Sequence, residues 1–151
     1  MAKDIKAATA FWIHAGEMSG DPNHRHQVEF TDELARFFDD NARATEILMV
    51  RLPNGQVCVR PLTYRGTDYG QWTGDIWRLG LPTARMGGPM YAGRVIKFDR
   101  ISSGGNFIYD LSVEDVGSAT ALAWQQQAQS HGCVGTTGGG GAYAGRLYGY
   151  W

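Results

Sequence analysis

Apolar and polar positions alternate in short runs along this chain, and glycine, proline and asparagine clusters separate the runs. That pattern predicts strands more than helices. Residues 8–14 (ATAFWIH) read as a strand, followed by the dense turn signal Ser19-Gly20-Asp21-Pro22-Asn23. Residues 26–30 (HQVEF) alternate briefly. Thr31 is a good N-cap, and Leu34, Phe37 and Phe38 at i, i+3 and i+4 predict a helix that ends near residues 39–41. Residues 45–52 (TEILMVRL) and 57–63 (VCVRPLT) read as two strands. Pro53-Asn54-Gly55-Gln56 between them is a hairpin signal, and Pro61 points to an edge or a bulge.

Residues 64–73 are polar, aromatic and punctuated by glycine, and 75–79 (DIWRL) read as a short strand. A loop is predicted over 80–90, then strands over 94–100 and 106–113 split by Ser102-Ser103-Gly104-Gly105. A second helix is predicted from Glu114 to about Ser130. Residues 132–151 hold eight glycines and read as an irregular tail or linker. The expected organisation is a domain over 1–131 with a glycine-rich tail over 132–151. Six or seven strands with two helices predict a mainly β, α+β architecture, a small barrel or sandwich. Strands and helices do not alternate as a doubly wound sheet requires.

Composition narrows the class. The chain has 151 residues, 43% hydrophobic and 19% charged, enough for one domain with its own core. The absence of an 18-residue apolar run and of a secretory pattern in the first ten residues predicts a cytoplasmic protein that avoids the membrane. Cys58 and Cys133 read as free or buried thiols.

Net charge is −1, but it is unevenly spread. Residues 1–50 carry −4 and 101–151 carry −2. Residues 51–100 carry +5 from Arg51, Arg60, Arg65, Arg78, Arg85, Arg94, Lys97 and Arg100 against three acids. Such a segment either binds a polyanion locally or is a set of solvated strand-face arginines, and charge alone does not choose.

Catalytic patterns are missing. A common metal-dependent nuclease needs an acidic residue two before a lysine, and only Asp4 before Lys6 meets that spacing, at the N-terminus. No G-x-S-x-G occurs, and no lysine follows a glycine as a phosphate-binding loop would require. His24 and His26 flank an arginine, a poor neighbour for a metal ion. No cofactor and no metal are expected, and the chain reads as a binding module.

Two clusters carry binding chemistry. Asn23, His24, Arg25 and His26 sit at a loop-to-strand junction and can donate to phosphates or base edges. Residues 64–78 gather four aromatics with Arg65, Gln71, Asp68, Asp75 and Arg78. Arginine pairs with guanine, glutamine with adenine, and aspartate accepts from cytosine. Tyr69 and Trp72 suit packing on the sugar-phosphate backbone. Trp77 shares a strand face with Leu79, so a place in the core competes with a place at a ligand. Asp75 either accepts from cytosine or orients Arg78 by an ion pair. Arg85 reads as a backbone contact or a solvated residue.

With these pieces in this order, the chain resembles the effector-DNA-binding N-terminal domain of EcoRII-type type II restriction endonucleases. The resemblance rests on the loop ending in His26-Gln27-Val28 before the first helix and on the arm ending at Asp75-Ile76-Trp77-Arg78. Tyr91-Ala92-Gly93-Arg94-Val95-Ile96-Lys97-Phe98-Asp99, then Glu114-Asp115-Val116 and a glycine-rich tail, complete it, and the whole spans roughly residues 11–145. It implies a seven-stranded DNA-binding pseudobarrel with two major-groove arms, an N-arm over 16–26 and a C-arm over 64–78. It further implies a short, near-palindromic, CCWGG-like duplex site and a covalently linked nuclease domain elsewhere. The family's C-arm is richer in basic residues, whereas Tyr69, Gln71 and Trp72 occupy much of it here. The competing reading is a small nucleic-acid-processing enzyme, using Asp68 and Asp75 with His24 or His26, or a single-strand or RNA binder.

Overall fold

The computed structural model describes residues 4–15, 27–38, 46–67, 75–137 and 145–151. Among the described residues, nine strands form one mixed sheet in the order β2-β5-β4-β3-β7-β6-β1-β9-β8. They are β1 (Ala10–His14), β2 (Gln27–Thr31), β3 (Glu46–Arg51), β4 (Val57–Thr67), β5 (Asp75–Gly80), β6 (Arg94–Ser103), β7 (Asn106–Asp115), β8 (Val134–Thr136) and β9 (Leu147–Tyr150). The helices are α1 (Asp32–Ala35) and α2 (Ala119–Ser130). The architecture of the described residues is therefore mainly β with two helices, as the alternation predicts, but with nine strands where seven were expected.

The sheet curls strongly. Phe11 on β1 and Phe30 on β2 lie six strand steps apart in the sheet order, which would be about 29 Å if flat. Their rings are 5.6 Å apart. The enclosed core is aromatic: Phe38 alone packs against Phe11, Phe30, Phe37, Phe98 and Tyr109. Neighbouring strands run antiparallel except β3 and β7, the one parallel pair among the described strands.

Local signals explain most elements. Gly55 adopts φ +90° in the β3–β4 turn, where the Asn54 side chain accepts from the Gln56 N–H at 2.9 Å. Thr31 caps α1 by accepting from the Leu34 N–H. That helix is a single turn rather than one reaching residues 39–41, yet Leu34, Phe37 and Phe38 are all buried as their spacing predicts. Proline at 61 falls one residue before β4 begins to pair with β5 at Leu62, so its missing N–H costs no bond in that ladder. The bulge lies further on, at Arg65.

Two boundaries differ from expectation. Glu114 and Asp115 end β7, Gly117 turns the chain at φ +86°, and Ser118 caps α2, so the helix starts five residues later than predicted. Of residues 132–151, expected as an irregular tail, the described ones include β8 and β9, and β9 pairs with β1. Glycine there serves close packing, since a Cβ on Gly149 would lie 2.5 Å from the Trp12 ring. Helix α2 covers that part of the outer face with Ala121, Trp124 and Ala128, packed with Trp12 and Val95. Cys58 and Cys133 are buried free thiols. No helix among the described residues is long and apolar enough to cross a membrane.

His14 ends β1 beside Trp12, and burial lowers its pKa below 6.5. The unfolded chain then binds the proton more readily than the folded one. This contribution is full above the unfolded value and is lost as pH falls through the folded value. An NMR titration should place the His14 midpoint below 6.5, and a midpoint above it contradicts the assignment.

Candidate nucleic-acid interface

The β4–β5 hairpin holds the described part of residues 64–78, the stretch expected as a C-arm. The last β3–β4 pair is Glu46 with Leu62, and β4 then continues through Thr67. Over those five residues, among the described strands, only β5 lies beside it. Among the described residues, the result is a two-stranded ribbon that outruns β3, with residues 68–74 joining its strands. Tyr64 pairs with Trp77 and Gly66 with Ile76, so Arg65 is the extra residue of a β-bulge. Bulges twist a strand and re-aim its side chain, and they favour binding sites. Asp75 opens β5 opposite Thr67.

The remaining predicted residues divide sharply. Asn23, His24, Arg25 and His26 in the N-arm, and Tyr69, Gln71 and Trp72 in the C-arm, lie outside the described residues. The segments that hold them meet the β2–β5 ladder at opposite ends. Gln27 follows the N-arm and faces Gly80, whereas Asp75 follows 68–74 just beyond the Thr31–Ile76 pair. Four residue steps, about 14 Å, separate those ends.

Trp77, for which core and ligand contact competed, lies in the core. It is 1% exposed, on the face shared with Leu79, and its ring lies 5.3 Å from Tyr64. Arg78 is mostly buried. It stands opposite Glu29 across β2 and β5, and its Nη2 donates to Glu29 Oε1 at 3.1 Å. The two side chains are 10% and 2% exposed. Arg78 therefore ties β2 to β5 inside the protein through Glu29.

Most of the basic middle segment is spent in the same way. Arg51 pairs with Asp110, Arg94 with Asp115, and Lys97 with Asp99. Lys97 also lies over the Trp124 and Trp151 rings. Arg60 donates through Nε to the Gly80 carbonyl at 2.9 Å. Arg100 donates to the carbonyls of Phe37, Lys6 and Ala8, with its guanidinium over the Phe37 and Phe107 rings. Six of the eight basic residues thus make ion pairs or hydrogen bonds within the chain. Arg85 is exposed in the 3-10 turn Ala84–Met86. Arg65 stands in the ribbon.

Sequence reasoning missed Glu29. Its alternation with Val28 and Phe30 marks it as outward, but only strand pairing shows that Arg78 lies beside it. Among the described residues, no group of three or more histidine, cysteine, aspartate or glutamate side chains is placed to hold a metal. No family model, curated protein or solved structure matches the chain.

Proposed function

We propose that this chain is a sequence-specific double-stranded DNA-binding module, of the pseudobarrel kind it resembles in EcoRII-type restriction endonucleases. The observation that supports the reading is the β4–β5 ribbon, which extends past β3 with a bulge at Arg65. The wide groove of B-form DNA admits a two-stranded ribbon, and strands are an established way to read it. In this reading Arg65 and Gln71 contact base edges, Asp75 accepts from a cytosine amino group, and Tyr69 and Trp72 brace the backbone. Asn23, His24, Arg25 and His26 add a second set of contacts from the N-arm. The preferred site is short and CCWGG-like, the compartment is the bacterial cytoplasm, and a linked nuclease domain carries the chemistry.

The test is fluorescence anisotropy on a preferred duplex, a random duplex and single strands, each at several salt concentrations. Arg65→Ala and Gln71→Ala should each cost about 1–3 kcal/mol on the preferred duplex, more than on the random one. Arg94→Ala, which removes a surface ion pair, should leave the preference intact. Equal losses on both duplexes, or equal binding to single strands, would contradict the reading.

A further inference from the structure

We propose that Arg85 is a phosphate contact for the duplex, at the end of the β2–β5 ladder away from the ribbon; the inference rests on the DNA reading above. Arg85 is exposed in the 3-10 turn Ala84–Met86, with no ion pair or hydrogen bond among the described residues. Its sequence allows a backbone contact or a solvated residue. Its place in the fold favours the first.

The connection over 81–93 runs from Gly80, which ends β5, to Arg94, which opens β6. Gly80 pairs with Gln27 at the start of β2. Just past the end of β1, the Ala15 N–H donates to the Arg94 carbonyl at 2.8 Å. Residues 81–93 therefore join the same two strand pairs, at the same end, as segment 16–26 does. The connection is tied down along its length. Leu81 and Tyr91 are buried, and the Tyr91 hydroxyl donates to the Pro82 carbonyl at 2.6 Å, which closes its neck. The Gly88 N–H donates to the Thr83 carbonyl at 2.8 Å, and a Cβ on Gly88 would collide with the Pro82 carbonyl oxygen. A loop already held in shape loses little conformational entropy when it binds.

The surroundings of Arg85 suit an anion. The connection over 81–93 contains no acidic residue, and neither does the β3–β4 turn over 53–56. These two segments pack together: a Cβ on Gly87 would lie 3.3 Å from Asn54 Nδ2 and 3.4 Å from Gln56 Oε1. They form an exposed ledge of one guanidinium and two amides, and such side chains are common donors to phosphate oxygens. Arg51, Arg78, Arg94 and Lys97 each face a carboxylate, so their charge is already met within the chain. The spacing also fits a duplex. Arg65 stands near the far end of the β2–β5 ladder, which is about 14 Å long. The wide groove of B-form DNA is about 12 Å across. A duplex that takes the ribbon into that groove therefore brings a bordering phosphate row toward the Arg85 end.

Anisotropy titrations of the preferred and the random duplex across a salt series test it. Arg85→Ala should weaken both complexes by the same factor, about three- to tenfold near 0.1 M salt. The slope of log K against log salt should become shallower by about 1. Arg85→Lys should keep most of the affinity, because a phosphate accepts a point charge. In parallel, the Arg85 Nε–H signal of the wild-type chain should shift as duplex is added, a readout that needs no variant to fold. Unchanged affinity and slope in Arg85→Ala, or a loss confined to the preferred duplex, would overturn the inference. Either result, with a wild-type chain that still prefers its site, leaves the DNA reading standing. A wild-type chain that retains no duplex overturns both. One that binds all duplexes alike, with the Arg85→Ala loss present, supports the phosphate contact and removes only the sequence preference.

Discussion

Arg78→Ala should destabilise the fold by about 3–5 kcal/mol, because it leaves the Glu29 carboxylate buried without the cation facing it across β2 and β5. A single domain is stable by only about 5–15 kcal/mol, so this one truncation removes a large share. Urea unfolding followed by circular dichroism measures it as a fall in the midpoint of about 1 M or more. The Glu29→Leu, Arg78→Met double variant should recover most of the loss, since well-packed apolar residues replace a buried ion pair at little cost. The same variant separates two roles for Arg78. If the side chain only fixes β2 against β5, the double variant keeps its duplex preference. A folded double variant that has lost that preference would make Arg78 a base reader after all.

Phe38→Ala should have an effect of the same size, about 3–5 kcal/mol, by emptying the centre of the aromatic core. Phe38 is the point where the turn after α1 meets β1, β2, β6 and β7 together. Its loss should loosen the curl of the sheet as well as open a cavity. Phe38→Leu should cost clearly less, because a large apolar side chain still fills much of the volume. Thermal unfolding of the two variants checks the ranking, and equal melting temperatures would contradict the packing described.

Elements whose cues are local were readable in the sequence. The Asn54-Gly55 turn, the Thr31 cap and the alternation in residues 94–100 each specify their structure within a few residues. Helix α1 shows the limit of that approach. Leu34, Phe37 and Phe38 share a face in an α-helix, and the same three stay buried when the chain turns after Ala35. The pattern therefore predicts burial better than helix length. The tail shows another limit. Glycine density suggested a linker because glycine loosens a free chain, yet Gly149 is there so that Trp12 can lie against β9.

The candidate site was harder to read because its charges are settled by pairing between distant parts of the chain. Arg78 and Glu29 are 49 residues apart, and Arg51 and Asp110 are 59 apart. Nothing local distinguishes an arginine held by a remote carboxylate from one held out to a ligand. Strands over 57–63 and 75–79 around an aromatic, polar connection were legible, but the run of β4 on to Thr67 was not. Its extension beyond β3 and the bulge at Arg65 became visible only with the sheet register.

Binding-site selection with the intact chain on randomised duplexes is the most direct trial of the DNA reading. Repeated rounds should enrich one short, near-palindromic motif rich in G·C pairs, and the Arg65→Ala chain should relax the choice at particular positions within it. A pool that stays random while the folded protein retains duplex, or a folded protein that retains none, would contradict sequence-specific recognition by this fold.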